Sequence, residues 1–373
     1  MAVILEYNTI THYFLSEGKI IVRLTEVIDE LVEERGLDRG VLSSIVCEGM
    51  LAAYAKKYPE LTLNVSFDKK TNEMQILVEK EIVSTVADED TQVSLRKARA
   101  INAKAEIGEK IPVLFEGKIG RIEILRAKQV IANSIRKIEA SAIYQEFKEK
   151  EGTIVHGVIH KCERGGAVVK IGETLAFLPT SLMIPTEKCI AGYTIRALLK
   201  EVLQEPRNDY QLILDRSSDV FLLRLFELEI PEVFEKYVEI KKIVRIAGYK
   251  SKIAVISLEK NIDPVGTCVG MGGARIKPVL KELSAEKIDV ILWSESPEAL
   301  IRDALKPAKI NRIEIIDQEN CNVWLDEDQR SLAIGKMGQN IALASRLTGY
   351  SIHLAKTEQV DKQLQDISLE EFD

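Results

Sequence analysis

Two segments of this chain carry the same glycine pattern. The first reads "CVGMGGARIKPVL" over residues 268–280, and the second reads "AIGKMGQNIALA" over residues 333–344. Their leading glycines, Gly270 and Gly335, lie 65 positions apart. A long motif that returns within matching surroundings predicts a tandem structural repeat rather than a chance match. We therefore expect two copies of one folding unit in the C-terminal half of the chain.

The segments around the two glycine motifs support this repeat. Each motif lies between β-rich segments, and apolar residues at helical spacing predict a helix at the start of each copy. The strand segments are "YVEIKKIVRIAG", "KIAVISL" and "EKIDVILW" in the first copy, and "AKINRIEIID", "NVWLDE" and "YSIHLA" in the second. The helices are "DVFLLRLFELE" and "PEALIRDAL". Each copy is therefore predicted as an α-β-β-α-α-β unit with the glycine loop between its second and third helices.

Glycine loops before helices often bind phosphate, so the exact pattern matters. The first copy lacks the third glycine of a dinucleotide-binding loop, and neither copy ends in the Gly-Lys-Ser/Thr of a nucleoside triphosphate loop. What remains is an aliphatic residue, G-x-x-G and a later isoleucine, which is the pattern of KH domains. Two glycines let the backbone approach a sugar-phosphate chain, and N–H groups at a helix start attract phosphates. Each loop is predicted to clamp about four nucleotides of single-stranded RNA.

The candidate RNA-binding residues are the loop residues and those that directly follow them. Only the second loop carries a lysine between its glycines, so the two loops differ in their supply of cations. A basic run over residues 241–252 is either a further nucleic-acid contact or a solvated strand edge, and the sequence leaves both open. The loop candidates are Gly270, Met271, Gly272, Gly273, Arg275, Lys277, Gly335, Lys336, Met337, Gly338, Gln339 and Asn340.

Five short β-rich runs precede the repeat. They read "TIVHGVIHKC", "GAVVKI", "TLAFLP", "YTIRALLKEVL" and "YQLILD", separated by glycine, proline and polar turns. Their order and lengths predict a five-stranded OB-fold barrel of the S-one RNA-binding type, with another small barrel as the alternative. The aromatic residue expected before the second strand is missing from "ERGGAVV". His160 and Phe177 are therefore the candidates for stacking on a base.

The first part of the chain is predicted to be an α/β domain. Helical spacing predicts two helices between residues 18 and 57, joined by a turn at "RGLDRG". "LTLNVSF" and "MQILVEKEIV" flank the polar connection "DKKTNE" and predict a hairpin. A long helix follows at "RAKQVIANSIRKIEASAIYQEFKEKEG". Lys128, Arg136 and Lys137 on this helix are either contacts to a protein partner or ordinary solvated side chains.

Composition argues against several functional classes. The formal net charge of the 373 residues is −7, so nucleic-acid binding must depend on local patches. The five cysteines are odd in number and form no C-x-x-C pair, which argues against a disulfide framework or a zinc ribbon and favours a reducing cytoplasm. No apolar run is long enough to span a bilayer. His156 and His160 share a strand face without a third ligand, and no catalytic motif is found, so we expect no metal, no cofactor and no enzymatic activity.

Five segments point to a known family: "NIDPVGTCVGMGGARI", "EKIDVILW", "RLFELEIPEV", "AIGKMGQNIALASRLTGY" and "AKQVI". Through them the chain resembles the NusA family of bacterial transcription elongation and termination factors over essentially its whole length. The resemblance implies that the N-terminal domain binds the RNA polymerase core. It also implies binding of nascent single-stranded RNA and modulation of pausing, termination and antitermination. We expect a cytoplasmic monomer, with other antitermination factors as further partners.

These predictions describe an α+β multidomain chain. A polymerase-binding α/β domain is expected over residues 1–140, an S-one-type barrel over 150–217, KH domains over 218–296 and 297–358, and a short acidic tail over 359–373. Two other functions stay open. An RNA-processing or ribosome-assembly factor with KH and OB-fold domains would act without RNA polymerase. Polynucleotide phosphorylase combines the same modules, but its KH domain precedes its barrel and follows two large catalytic domains.

Overall fold

The structure of this protein is a computed structural model that describes residues 32–33, 38–67, 74–117, 119–185, 187–284 and 286–356. Three predicted features lie outside the described residues: most of the first helix, the hairpin connection "DKKTNE" and the acidic tail. The chain divides between Ala142 and Ile143 into two compact units. In the part that the structure describes, no helix is both long enough and apolar enough to cross a bilayer.

The first unit combines helices with a small mixed sheet. The Asp38 carboxylate accepts a hydrogen bond from the backbone N–H of Val41 and caps the helix that begins at Arg39. The predicted hairpin is confirmed, because β1 and β2 pair antiparallel. Its described elements are α1 (Arg39–Lys57), β1 (Leu63–Phe67), β2 (Met74–Val83), β3 (Gln92–Ser94), α2 (Leu95–Ile101), β4 (Lys110–Leu114) and α3 (Arg121–Lys148), whose last residues belong to the second unit.

One face of α1 and one face of α3 form the main core of the first unit. Leu42 and Ile45 of α1 cluster with Ala127, Ile131 and Ile135 of α3. The three α3 residues are four positions apart, which places them on one side of a helix. Full burial of a side chain such as Leu42 contributes about 1.5–3 kcal/mol. The long helix is thus held by the stripe that its sequence predicts.

The second unit begins with the predicted barrel. Its strands close in the order β5-β6-β7-β9-β8, which confirms a five-stranded OB-type barrel. Along β5 the buried Ile159 is followed by the exposed His160, as expected for a strand with one face in the core. Phe147 of α3 packs into the barrel core. The strands are β5 (Ile154–Glu163), β6 (Gly166–Ile171), β7 (Thr174–Pro179), β8 (Thr194–Arg207) and β9 (Tyr210–Asp215).

A disulfide bond joins Cys162 at the end of β5 to Cys189 in the segment before β8. The expectation of no disulfide was therefore wrong for this pair. The two cysteines are 27 residues apart in sequence, but closure of the barrel brings their Cα atoms to 6.1 Å. The other three cysteines are free, and burial raises the pKa of the Cys268 thiol to about 12.

Two α-β-β-α-α-β units follow the barrel and confirm the tandem repeat. In each copy the middle strand pairs antiparallel with the first strand and parallel with the third. The first copy contains α4 (Asp219–Glu229), α5 (Pro231–Phe234), β10 (Val238–Ile246), β11 (Lys250–Ser257), α6 (Pro264–Val269), α7 (Lys277–Glu282) and β12 (Lys287–Leu292). The second contains α8 (Pro297–Ala304), β13 (Arg312–Ile315), β14 (Asn320–Leu325), α9 (Glu327–Ile334), α10 (Gln339–Thr348) and β15 (Ser351–Lys356).

One hydrophobic cluster joins the two copies. Val244 and Ala254 of the first sheet cluster with Leu343, Ala344 and Leu347 of α10. Helix α10 directly follows the second glycine loop, so this packing fixes that loop against the first copy. The two loops therefore belong to one packed body.

Candidate nucleic-acid interface

Both glycine loops have the same backbone shape. The first, third and fourth loop positions have positive φ in both copies: 76°, 59° and 77° in the first loop, and 71°, 54° and 73° in the second. Glycine adopts positive φ without strain. The third position of the second loop is Met337, and its conformation costs about 1–2 kcal/mol. The two loops therefore present the same backbone shape with different side chains.

The first glycine of each loop is required by close packing. A Cβ atom on Gly270 would lie 2.9 Å from the backbone nitrogen of Arg275, and one on Gly335 would lie 2.6 Å from the Cβ atom of Asn340. Contacts below 3.0 Å force the backbone to move. Any side chain at these two positions would therefore distort the loop.

The last glycine of each loop has open space beside it. Among the described residues, no atom lies within 4 Å of a Cβ placed on Gly338, and the nearest atom to one on Gly273 is 4.0 Å away. A chain of phosphates can therefore approach the backbone here without meeting a side chain. This is the arrangement that the KH pattern predicts.

The tips of both loops are exposed. Met271 is 95% exposed and Met337 is 85% exposed, and Lys336 and Lys277 are also exposed. Pro278 falls at the start of α7, where its missing N–H breaks no helical hydrogen bond. The tips can thus meet a ligand without any rearrangement of the fold.

Two predicted contact residues already have polar partners within the protein, although Arg275 is exposed and Asn340 is buried. Arg275 Nη1 lies 2.6 Å from Glu232 Oε1. Asn340 is 5% exposed, and its side-chain amide bonds to Lys250 and to backbone carbonyls. Gln339 is half-buried. The structure therefore buries Asn340 under its loop and leaves Arg275 exposed, with the polar groups of both side chains already paired.

The basic run over residues 241–252 is largely neutralised inside the protein. Arg245 is fully buried against Glu286, with 2.9 Å between Nε and Oε1. Lys252 is also fully buried and lies 2.7 Å from Asp289. Lys250 shares the same Asp289 oxygen, and Lys241 pairs with Glu239. Most of this run therefore serves the packing of the first KH copy and not a nucleic-acid surface.

The barrel carries a stacked aromatic pair. The rings of Phe177 and Tyr210 lie 5.2 Å apart and are inclined by 12°. Val168, which stands near the place of the missing aromatic, is in the core. Sequence reasoning selected Phe177 but missed Tyr210, because parallel pairing of β7 with β9 decides their proximity. His160 is exposed on β5 and makes no described contact with this pair.

A lysine and a glutamate lie beside the aromatic pair. Lys161 Nζ lies 2.6 Å from Glu163 Oε1, and the hydrogen bond to Glu163 raises the pKa of Lys161. The Tyr210 hydroxyl is 3.5 Å from the same carboxylate oxygen. Lys161 is exposed, so this end of the barrel places a cation, paired with Glu163, near the Tyr210 ring.

The three candidate polymerase contacts differ in exposure. Arg136 and Lys137 are exposed on α3, whereas Lys128 is half-buried, and burial lowers the pKa of its ammonium group. Arg136 and Lys137 can therefore contact a partner protein directly.

Across the described ranges, no group of three or more His, Cys, Asp or Glu side chains is arranged to hold a metal ion.

Models of known families match the chain in three places. A NusA N-terminal domain model matches residues 23–141. Models of the NusA-like first and second KH domains match residues 216–293 and 297–362. The two KH matches cover the glycine loops whose backbone shapes agree.

Curated relatives align along most of the chain, and each is named transcription termination/antitermination protein NusA. The protein of Rickettsia conorii is 35% identical over 348 residues, which is 92% of this chain and 69% of the relative. The protein of Thermus thermophilus is 35% identical over 350 residues, 89% of each chain. The protein of Bacillus subtilis is 30% identical over 354 residues, 94% of this chain and 95% of the relative. With at least 30% identity over 89% or more of the Thermus thermophilus and Bacillus subtilis relatives, this chain belongs to the NusA family.

Proposed function

We propose that this protein is an RNA-binding transcription factor that acts in termination and antitermination. The observation that carries this proposal is the pair of glycine loops with one backbone shape, packed within one body, in a chain of the NusA family. A backbone cradle without bulky side chains suits a sugar-phosphate chain. The stacked Phe177 and Tyr210 rings supply a surface for an unpaired base.

The proposed partners are the RNA polymerase core and the nascent single-stranded RNA that leaves it. The relatives' name connects them to termination and antitermination, and that process takes place on transcribing polymerase. Arg136 and Lys137 are proposed as part of the polymerase contact, because they are exposed on the last helix of the first unit. We further propose that other antitermination factors join this complex.

The test is a transcription assay with bacterial RNA polymerase on a template that carries a pause site and a terminator. Addition of the protein should change the pause lifetime or the fraction of terminated transcripts. Co-sedimentation with the polymerase core, with and without RNA, measures the two interactions separately. Unchanged transcription together with no polymerase binding would overturn the proposal.

The alternative is an RNA-processing or ribosome-assembly factor. In this chain the barrel precedes the KH pair, whereas polynucleotide phosphorylase has the opposite order. We therefore propose a factor without enzymatic activity, and an assay for phosphate-dependent RNA degradation should give no product. RNA binding without polymerase binding would favour the alternative.

We propose the same domain division as the sequence suggests, with the polymerase-binding domain in residues 1–140, the barrel in 150–217, the KH domains in 218–296 and 297–358, and a tail in 359–373. We also propose a cytoplasmic monomer, because bacterial transcription takes place in the cytoplasm. Analytical ultracentrifugation tests the oligomeric state.

A further inference from the structure

Arg275 and Asn340 hold equivalent positions in the two glycine loops. Each stands five residues after the first glycine of its loop, and the two are 65 positions apart, like the glycines themselves. Their side chains differ in size and charge. The loop backbones before them agree closely in φ, so the two side chains start from the same place in each loop.

Both side chains donate to the same place in the fold. Arg275 Nη1 donates to the carbonyl of Thr267 at 3.3 Å, and Asn340 Nδ2 donates to the carbonyl of Leu332 at 3.3 Å. Thr267 and Leu332 are themselves equivalent, near the end of the helix that leads into each loop. The last carbonyls of a helix lack partners within the helix. Each side chain therefore caps the helix before its loop.

Both residues also pack directly against the first glycine of their loop, and we call this position the floor of the loop. The first glycine of each loop packs so closely on them that a Cβ atom would collide with Arg275 in one copy and with Asn340 in the other. Movement of the floor residue would therefore move the glycine backbone above it.

A charged residue from outside the loop holds each floor residue. Glu232 of α5 pairs with Arg275 at 2.6 Å, while Lys250 of β11 donates to Asn340 Oδ1 at 3.1 Å. Burial by itself would raise the pKa of Glu232, but the hydrogen bond and charge of Arg275 outweigh it and lower that pKa. Both partners at the first loop are thus charged and engaged with each other.

We propose that Arg275 and Asn340 are positioning residues that close the floor of the two phosphate-binding loops. In each loop a side-chain N–H donor holds the floor in place. The charge of Arg275 pairs with Glu232 and not with RNA phosphates. The proposal rests on the proposed binding of RNA by these loops. It assigns Arg275 a role that its charge alone does not suggest.

Salt dependence separates positioning from phosphate contact. A cation that pairs with a phosphate of a single strand contributes about 0.7 to the slope of log K against log salt. Replacement of a phosphate-binding Arg275 would reduce that slope. Replacement of a positioning Arg275 would change affinity and leave the slope as it is.

The experiment uses two double variants of the full chain, Glu232→Gln with Arg275→Asn, and Glu232→Gln with Arg275→Ala. The glutamine avoids an unpaired carboxylate, and the asparagine copies the residue that performs this task in the second loop. Binding of a 12-nucleotide oligouridine is measured from low to high salt. Lys336→Gln serves as the comparison for an exposed loop cation.

We expect the alanine variant to bind about tenfold more weakly, a loss of the size that a missing hydrogen bond causes, and the asparagine variant to stay within about threefold of wild type. Both should keep the wild-type salt slope, whereas Lys336→Gln should reduce it by about 0.7. An asparagine variant as weak as the alanine variant, with a slope reduced by about 0.7, would overturn the proposal.

Hydrogen exchange of the free proteins gives a second measurement that does not depend on RNA. Amides of residues 267–276 should exchange about tenfold faster in the alanine variant and at nearly the wild-type rate in the asparagine variant. Equal exchange in all three proteins would refute the positioning role. If wild type binds no RNA at all, the proposed function fails, and hydrogen exchange still decides whether Arg275 holds the loop.

Discussion

Arg216, which directly follows the last barrel strand, donates to Glu282 at 2.7 Å. Glu282 is the last residue of the helix that follows the first glycine loop. The same guanidinium binds Glu187 at 2.6 Å, and its side chain is 1% exposed. This buried arginine thus links a barrel segment to the first KH copy. Replacement by methionine would leave the partly buried Glu187 without this cation, and Glu282 would keep only the 3.8 Å pair with Arg196.

We therefore expect Arg216→Met to lower the free energy of unfolding by about 3–5 kcal/mol. Trp293 and Trp324 both lie in the KH copies, so tryptophan fluorescence in a urea titration reports on this unit. Arg216→Lys should recover only part of the loss, because an ammonium group cannot bind two carboxylates in the same geometry. Exposed Lys188→Met is the control, and an equal effect of both methionine variants would contradict the prediction.

Gly273→Asp combined with Gly338→Asp should sharply weaken RNA binding while the protein stays folded. No described atom lies closer than 4.0 Å to either Cβ position, so each aspartate would add only the strain of its positive φ, and its charge would face the phosphates. Each single variant should lose less than the double variant if both loops hold one strand. Gel shift with single-stranded RNA measures the effect.

Gly349→Asp is the matched control for these variants. Gly349 lies in the second KH copy with φ 85° and, among the described residues, has no neighbour within 4 Å of its Cβ position. It ends α10 at the opposite end from the loop. Loss of RNA affinity in this variant would show that added charge or strain, rather than the loops, explains the result.

RNA length should determine affinity in a stepwise manner. Each KH loop takes about four nucleotides, so an oligonucleotide of about eight to twelve can engage both. Because both loops belong to one packed body, the second contact is effectively intramolecular, and affinity should rise by about 10²-fold or more. Fluorescence anisotropy with oligouridines of increasing length measures this, and a flat curve beyond four nucleotides would mean that the loops act separately.

The buried Lys252 should weaken the fold at neutral pH. Burial lowers the pKa of Lys252, although Asp289 partly opposes this. Because Lys252 binds its proton more weakly in the folded state, stability should rise as the pH increases from the folded pKa towards about 10.4. Lys252→Met should be as stable as wild type or more stable at pH 7, and this advantage should shrink at higher pH.

Asp289→Asn tests the same pair from the other side. It would leave Lys252 buried without its carboxylate and should cost about 3–5 kcal/mol. Lys252→Met keeps the Asp289 pair with Lys250, so only the aspartate variant should be strongly destabilised. Urea titrations of both variants decide this, and a more damaging lysine variant would contradict it.

Thiol reactivity should depend on the redox state of the barrel. Burial raises the pKa of Cys321 to about 11 and that of Cys268 to about 12, so both should react slowly with a thiol reagent at pH 8. Mild reduction should release two additional reactive thiols, Cys162 and Cys189. Cys162→Ser with Cys189→Ser should remove this reductant-dependent increase. Fast reaction of both barrel cysteines without reductant would show that the bond does not form in solution.

Local sequence patterns predicted the repeat and the strands of the barrel, but not the elements β3, α2 and β4 of the first unit. The shared G-x-x-G pattern that begins at Gly270 and Gly335 predicts two copies, because glycine adopts the positive φ of such a turn without strain. The stripe of Ile131 and Ile135 predicts the buried face of the long helix, because residues four apart lie on one side. These features depend on neighbours in the chain, so periodicity reveals them.

Contacts between distant residues were decided only by the tertiary structure. The run over residues 241–252 reads as a basic patch, yet Glu286 and Asp289 neutralise Arg245 and Lys252 in the interior. A charge has no periodicity that identifies its partner, so only folding shows whether it is paired. Barrel closure similarly brings Phe177 to Tyr210.

The role of the loop side chains shows the same division. The sequence by itself determined that two glycine loops exist and that their backbone can meet phosphates. Only the tertiary structure decided that Arg275 turns to Glu232 and that Asn340 lies beneath its loop. Glycine limits the local backbone, whereas the direction of a long or polar side chain depends on partners that lie 43 and 90 residues away in the chain.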